Sequence, residues 1–242
     1  MAHAFDLSGQ RILVTGAAGG IGTATARACA AMGASLLLTD VRLAIPVADE
    51  LRRAGVAVDT CVLDVRDRPG IEEMVRDAGP LDAVVANAGY VVWNDWDDEG
   101  WDDDFRTIMD VNVLGVFHLV RACLPAMMGR GKGRVVVVTS VAGKIGGVRS
   151  GPHYVAAKGG LNAFVKWAAR RAAPAGVLVN GVAPGPTVSP MTAAQSFDAG
   201  GVPLGRMATA DEIAWPIAFL CSPASAYVCG TVLDVNGGIF MG

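Results

Sequence analysis

The chain has 242 residues, 52% of them hydrophobic and 18% charged, with a net charge of -3. That length suits one larger domain with enough apolar material for a sheet buried on both faces. The weak acidity and the absence of a Lys/Arg run argue against nucleic acid as a partner, and no apolar run reaches the roughly 18 residues expected of a membrane helix.

Short β-rich apolar runs alternate with longer helical patterns along the chain. Strands are predicted at Arg11–Thr15, Ser35–Thr39, Val56–Leu63, Asp82–Ala86, Arg134–Thr139, Val177–Val182 and Thr231–Val235. Most are continuous runs such as Val135-Val136-Val137-Val138, the mark of parallel strands covered on both faces. Helices are predicted at 20–32, 46–54, 68–77, 102–129, 153–172 and 210–221. The alternation implies an α/β, doubly wound parallel sheet of about seven strands, with residues 1–242 forming a single domain.

The N-terminal segment Met1-Ala2-His3-Ala4-Phe5-Asp6 lacks the basic and apolar regions of a secretory signal, so a cytoplasmic protein is expected. After the first strand comes Thr15-Gly16-Ala17-Ala18-Gly19-Gly20-Ile21-Gly22, which opens the first helix. That context makes a dinucleotide-binding turn credible. Gly16 allows the tight turn, Gly20 and Gly22 let backbone and helix approach a pyrophosphate, and the helix N-terminus offers N–H groups to the phosphates. Glycines also serve ordinary turns. Asp40 ends the second strand, where a carboxylate can accept ribose hydroxyls and repel a 2′-phosphate, so NAD(H) is expected over NADP(H). Arg42 nearby could favour that phosphate, and Asp40 could be a plain strand-end residue. Asp64-Val65 and Asn87-Ala88-Gly89 follow the third and fourth strands, at the sheet edge where ligands bind. Asp64 could reach the adenine amino group; turn or cap roles are the alternative.

Residues 92–104 hold Trp93, Trp96 and Trp101 among seven acids: Asp95, Asp97, Asp98, Glu99, Asp102, Asp103 and Asp104. A solvated segment whose acids favour the next helix N-terminus is one reading. The other is that Trp93 or Trp96 walls an apolar substrate pocket.

Tyr154 and Lys158 stand four apart in Tyr-Val-Ala-Ala-Lys, which sets both on one helix face. Tyrosine normally titrates near pH 10, and an adjacent ammonium favours the phenolate. Ser140 ends the fifth strand and could hold a substrate oxygen in line with Tyr154. Residues 184–205 are rich in Gly, Pro, Ser and Thr; 186–201 read as a mobile substrate loop, or as a surface connection. The five cysteines are scattered without a Cys-x-x-Cys pair and read as buried free thiols, and the histidines are only His3, His118 and His153, so no metal site is expected.

These elements together resemble the classical short-chain dehydrogenase/reductase (SDR) family, in motif order from about Gly9 to Gly238. The resemblance implies a Rossmann-type fold and a nicotinamide-dependent oxidoreductase acting on a secondary alcohol or ketone. It maps the glycine motif to Thr15–Gly22, with Ile21 inside it, and the Asn-Ala-Gly element to Asn87–Gly89, although Ala86 stands where Asn is frequent. It maps the catalytic set to Asn112, Ser140, Tyr154 and Lys158, with Tyr154 as general acid/base. Pro184-Gly185 would pack on the nicotinamide, Thr187 would offer backbone groups to its carboxamide, and Ser189 replaces a frequent threonine. Family position also nominates Ala142, Lys144, Ile145, His153, Gly185 and Met191 as pocket lining; Lys144, Arg149 and His153 could instead attract an anion. The serine-to-tyrosine gap is fourteen residues against the family's usual thirteen, and the extra residue is assigned to 146–152. A homotetramer is implied. Two alternatives stay open. One is a 3-oxoacyl carrier-protein reductase, with Arg170 as a carrier contact. The other is a non-catalytic dinucleotide-sensing protein.

Overall fold

The computed structural model describes residues 4–42, 45–147, 149–193, 195 and 199–242. Met1 to His3, Leu43, Ala44, Val148 and loop residues 194 and 196–198 therefore lie outside the described residues. Among the described residues seven strands form one parallel sheet: β1 (Arg11–Thr15), β2 (Ser35–Asp40), β3 (Val58–Val62), β4 (Ala83–Ala86), β5 (Gly133–Val138), β6 (Val177–Pro184) and β7 (Val232–Val235). Their order is β3-β2-β1-β4-β5-β6-β7. Every pairing among these strands is parallel, with Val14 beside Leu38 on one side and Val85 on the other. The winding reverses between β1 and β4, which opens a crevice at their carboxyl ends.

The helices that cover the sheet are α1 (Gly20–Ala31), α2 (Ile45–Arg53), α3 (Arg68–Ala78), α4 (Trp101–Met109), α5 (Gly115–Arg130), α6 (Ala142–Ile145), α7 (Pro152–Ala172) and α8 (Ala210–Cys221). Strand side chains alternate between two cores. Ile12, Val14, Leu36 and Leu38 pack with Ala24, Ala28, Ile213 and Ile217 on one face. Leu13, Leu37, Val135 and Val137 pack with Leu119, Leu124, Leu161 and Val165 on the other. Two covered faces explain the unbroken apolar runs, since each such side chain gains about 1.5–3 kcal/mol on full burial. Helix α8 starts at a reciprocal cap: Glu212 N–H donates to Thr209 Oγ1, and Thr209 N–H donates to the Glu212 carboxylate.

Three expectations need correction. The predicted helix 102–129 is two helices joined by a wider π-type turn, Asp110–Leu114, which carries Asn112; periodicity could not resolve one widened turn. The run Trp101–Arg130 also reaches a mean hydropathy of 1.5 over its most apolar window, enough by length and composition to cross a membrane. Here Leu119, Val120, Cys123, Leu124 and Met127 lie against the sheet instead. Finally, Cys29, Cys123 and Cys221 are buried free thiols, but Cys229 is exposed on the connection before β7 and Cys61 is half-buried on the edge strand. Burial pushes the Cys123 thiol up to about 12, leaving it protonated and unreactive.

Candidate active site

The crevice is built from strand ends. Its first wall is the glycine turn between β1 and α1. Gly19 caps α1 with no side chain, and the first turn has no acidic residue, so no side chain of the turn takes up its N–H groups at the positive end of the helix dipole. A side chain on Gly22 would collide with Gly16 O and come within 2.9 Å of Ala17 Cα. The helix can therefore sit this close to the turn only with glycine there. Gly22→Val is expected to abolish dinucleotide binding or folding, because overpacking against backbone costs about 1–3 kcal/mol or more. Titration of NADH fluorescence, with circular dichroism alongside, tests this; tight binding by a folded variant would contradict it.

Asp40 reaches the same turn. Its carboxylate accepts the Ala18 N–H at 3.1 Å and the Arg42 N–H at 3.1 Å. The Arg42 guanidinium stands 4.0 Å away with 77% of its side chain exposed. Asp64 is gripped by Arg66 at 2.6 Å, and this ion-paired hydrogen bond holds its carboxyl below the usual carboxylate range. Val65 packs under Gly115 at the start of α5. Asn87 serves the turn: its Nδ2 donates to Thr15 O at 2.9 Å and to Gly16 O at 3.1 Å. The Ala88 N–H donates to Thr15 Oγ1 at 3.1 Å. Thus Asn87 and Ala88 lock the β4 end to the β1 end. The residues fit a dinucleotide: an uncapped helix start, a backbone-tight turn and a carboxylate at the end of β2.

The candidate reacting end is drawn from the segment just after β5, the wide turn and α7. Asn112, fully buried, donates from Nδ2 to Tyr90 O at 2.7 Å and accepts the Tyr90 N–H at 2.9 Å. Gly89 brings the groups together: the position of its missing side chain is 3.0 Å from Asn112 Oδ1 and 3.5 Å from Lys158 Nζ. Lys158, 3% exposed, donates to Val138 O at 3.0 Å, and its Nζ lies 5.6 Å from the Tyr154 ring centroid. The Ser140 hydroxyl hydrogen-bonds Tyr154, and Ser140 Oγ accepts the Ala142 N–H at 3.1 Å. Asn112, Ser140, Tyr154 and Lys158 thus converge beside Gly89.

Electrostatics there depart from the sequence expectation. Burial pushes Tyr154 up to about 12, against the smaller downward pull of Ser140. Burial also brings Lys158 down to about 8. Desolvation disfavours both charged forms, and in this structure it outweighs the lowering of Tyr154 that the lysine's charge was expected to cause.

The substrate side holds further differences. His153 is fully buried and stacks on Trp101 at 5.6 Å, so it does not line an open pocket or attract an anion. Lys144 is spent on Asp234 at 2.7 Å and lies 5.0 Å above the Phe240 ring. Trp96 is 67% exposed. Asp102, Asp103 and Asp104 occupy the first turn of α4, which bears out the reading of these acids as helix-start residues.

On the other side, Pro184 and Gly185 end β6, and the Gly185 N–H donates to Val235 O. The loop beyond folds back so that Ser189 and Pro190 stand over Gly20, within 3.0 Å and 3.4 Å of where its side chain would be. Thr187 is buried and makes a parallel bridge to Ala208. Thr192, which sequence reasoning missed, organises this turn. Its hydroxyl donates to Thr187 O at 2.8 Å and accepts the Ser189 N–H at 3.1 Å. Its spacing three after Ser189 was the available signal. A cavity of about 530 Å³ opens behind Gly185, lined by Pro186, Val202, Leu204, Phe240 and Met241. The C-terminal members were also missed, because only folding returns them to the β6 edge.

Comparison with known proteins extends this picture. Residues 16–240 match the family described as enoyl-(acyl carrier protein) reductase. The chain is 38% identical to a 3-oxoacyl-[acyl-carrier-protein] reductase of Escherichia coli, covering 98% of this chain and 99% of the relative. It is 37% identical to a cis-4-hydroxycyclohexanecarboxylate dehydrogenase of Sinomonas cyclohexanicum, over 93% and 94%. Among solved structures, a 3-oxoacyl-[acyl-carrier protein] reductase from Brucella melitensis with bound NAD superposes with a TM-score of 0.91 at 31% identity, over 100% of this chain and 95% of that one. A gluconate 5-dehydrogenase from Burkholderia cenocepacia with NADP and tartrate gives 0.90 at 30%, over 98% and 97%. With the Rossmann-type sheet and the dinucleotide cradle, these likenesses identify an enzyme: the chain belongs to the short-chain dehydrogenase/reductase family of oxidoreductases.

Proposed function

We propose that the chain interconverts a small or medium, largely apolar ketone and its secondary alcohol with NAD(H). The observation that carries this reading is the convergence of Asn112, Ser140, Tyr154 and Lys158 beside Gly89, at the edge where the glycine turn would hold a dinucleotide. A bound nicotinamide supplies or accepts the hydride there. Ser140 holds the substrate oxygen, and Tyr154 gives or takes its proton. Lys158 sits beside the Tyr154 ring and within reach of a ribose; Asn112 holds the Tyr90 backbone and positions a water for proton relay. Residues 1–242 act as one domain, with 186–201 as the substrate loop. The cytoplasm is the expected compartment.

Asp40 supports NAD(H), since its carboxylate, fixed by Ala18, would face a 2′-phosphate. Asp40→Asn keeps an acceptor for the Ala18 N–H but removes the charge. It is expected to lower the KM for NADPH about tenfold or more while raising that for NADH, because like charges in contact cost several kcal/mol. An unchanged ratio would remove Asp40 from cofactor choice.

A homotetramer is inferred. Phe117 stacks on Phe164 at 4.2 Å and Phe164 on Trp167 at 6.0 Å, an aromatic ladder along α5 and α7. Trp167 and Leu114 are exposed on it, beside the small residues Ala156, Gly160 and Ala163. Such a patch suits a symmetric interface.

The second reading is a 3-oxoacyl carrier-protein reductase, favoured by the Escherichia coli relative and by the exposed Arg170. Oxidation of NADH and NADPH in parallel, with 1-phenyl-1,2-propanedione, acetophenone and acetoacetyl-coenzyme A, separates the two. Turnover of the aryl ketones with NADH supports the first. Turnover of the thioester with NADPH alone supports the second. NADH binding without any turnover would sink both and favour a dinucleotide sensor.

A further inference from the structure

The start of α7 carries an unusual cap. Gly151 is its N-cap residue and has no side chain to satisfy the first N–H groups. The Tyr154 N–H is shared: it donates to Gly151 O at 3.1 Å and, at the shorter 2.8 Å, to Nδ1 of the His153 ring, which adds the side-chain cap that Gly151 lacks. Nδ1 is therefore the bare nitrogen, and Nε2 carries the proton and donates to Asn94 Oδ1 at 2.9 Å. Asn94 Nδ2 then donates to Asp104 at 2.7 Å, in the first turn of α4. Donation runs in one consistent direction, from the Tyr154 backbone N–H through His153 and Asn94 to the Asp104 carboxylate. The imidazole lies nearly parallel to Trp101, 12° between planes, and is wholly buried. Gly151 makes room for it, because a side chain there would come within 2.6 Å of His153 Cε1 and 2.7 Å of Asn94 O.

The same chain reaches the substrate side. Residues 90–94 are tied at one end by Asn112, which grips the Tyr90 backbone, and at the other by the His153–Asn94 bond. We propose that His153, held by Asn94, Asp104 and Trp101, is a positioning residue. It sets the first turn of α7, and so the phenol of Tyr154, against the wall formed by residues 90–94. The proposal rests on Tyr154 being the acid/base group.

The test compares wild type, Tyr154→Phe, His153→Phe and His153→Asn, using acetoacetyl-coenzyme A or 1-phenyl-1,2-propanedione, whichever turns over faster. Phenylalanine keeps the stack on Trp101 without the polar atoms. It is expected to lower kcat by about 10- to 100-fold with the cofactor KM within about twofold, the scale expected of a misplaced reacting group. Asparagine offers Oδ1 near the place of Nδ1 and is expected to regain about fivefold or more of that loss. A His153→Phe kcat within about twofold of wild type, beside an inactive Tyr154→Phe, would overturn the proposal. So would an equal fall of kcat and cofactor affinity that asparagine does not relieve. An active Tyr154→Phe would instead overturn the acid/base reading itself. If His153→Phe does not fold, Asn94→Ser cuts the chain outside α7; an unchanged kcat there also defeats the proposal.

Discussion

Tyr154→Phe is expected to lower kcat by about 10³-fold or more while the enzyme binds its dinucleotide as before, within the range a positioned proton-transfer group contributes. The substitution removes one oxygen and leaves the ring in its packing, so folding is untouched. Ser140 loses the partner of its hydroxyl, and no other titratable side chain described above lies in line to replace it. Lys158 does not substitute, since its Nζ is turned onto Val138 O. Steady-state kinetics and an NADH fluorescence titration give the two readouts. A variant within about tenfold of wild type would remove Tyr154 from the chemistry.

Lys158→Met is expected to cost at least about 10²-fold in turnover and, separately, to change how stability depends on pH. Burial lowers the lysine in the fold from 10.5 to about 8. Below about pH 8 the amine is protonated in both folded and unfolded chains, and the cost of burying the charge is fully present. Between about 8 and 10.5 the unfolded chain binds the proton and the folded chain does not. Stability therefore rises with pH across that window, by at most about 3 kcal/mol from this group. Methionine has no such cost. The Tm of the cofactor-free wild type, measured against the variant, is expected to climb from pH 8 to 10. A flat difference would mean that the amine is well solvated. Tyr154, raised to about 12, acts in the opposite sense only above its unfolded value near 10.

Both predictions concern side chains that their spacing, joined to Ser140 and the glycine turn, singles out; the spacing alone is common by chance. Tyr154 and Lys158 share a helix face because four residues make about one turn. The glycine turn is legible because it stands between a strand and a helix, and the sheet is legible because buried parallel strands need unbroken apolar runs. All seven strands appear close to their predicted positions. The misses have one physical origin: a pattern along the chain does not report what packs across it. His153 and Lys144 look like free cations in sequence, yet one is sealed against Trp101 and the other is paired with Asp234, ninety residues away. Thr192 looks like any loop hydroxyl until the turn closes around it.

Local chemistry by itself determined the fold class, the dinucleotide turn and the Ser140–Tyr154–Lys158 constellation, since each depends on residue type and short-range spacing. Tertiary structure alone decided that Asn112 sits in a widened turn and grips Tyr90. It also decided that burial moves Tyr154 and Lys158 away from their charged forms, and that the C-terminal residues close a cavity beside Gly185. Desolvation and long-range contact are sums over neighbours distant in sequence, and those neighbours exist only once the sheet has assembled.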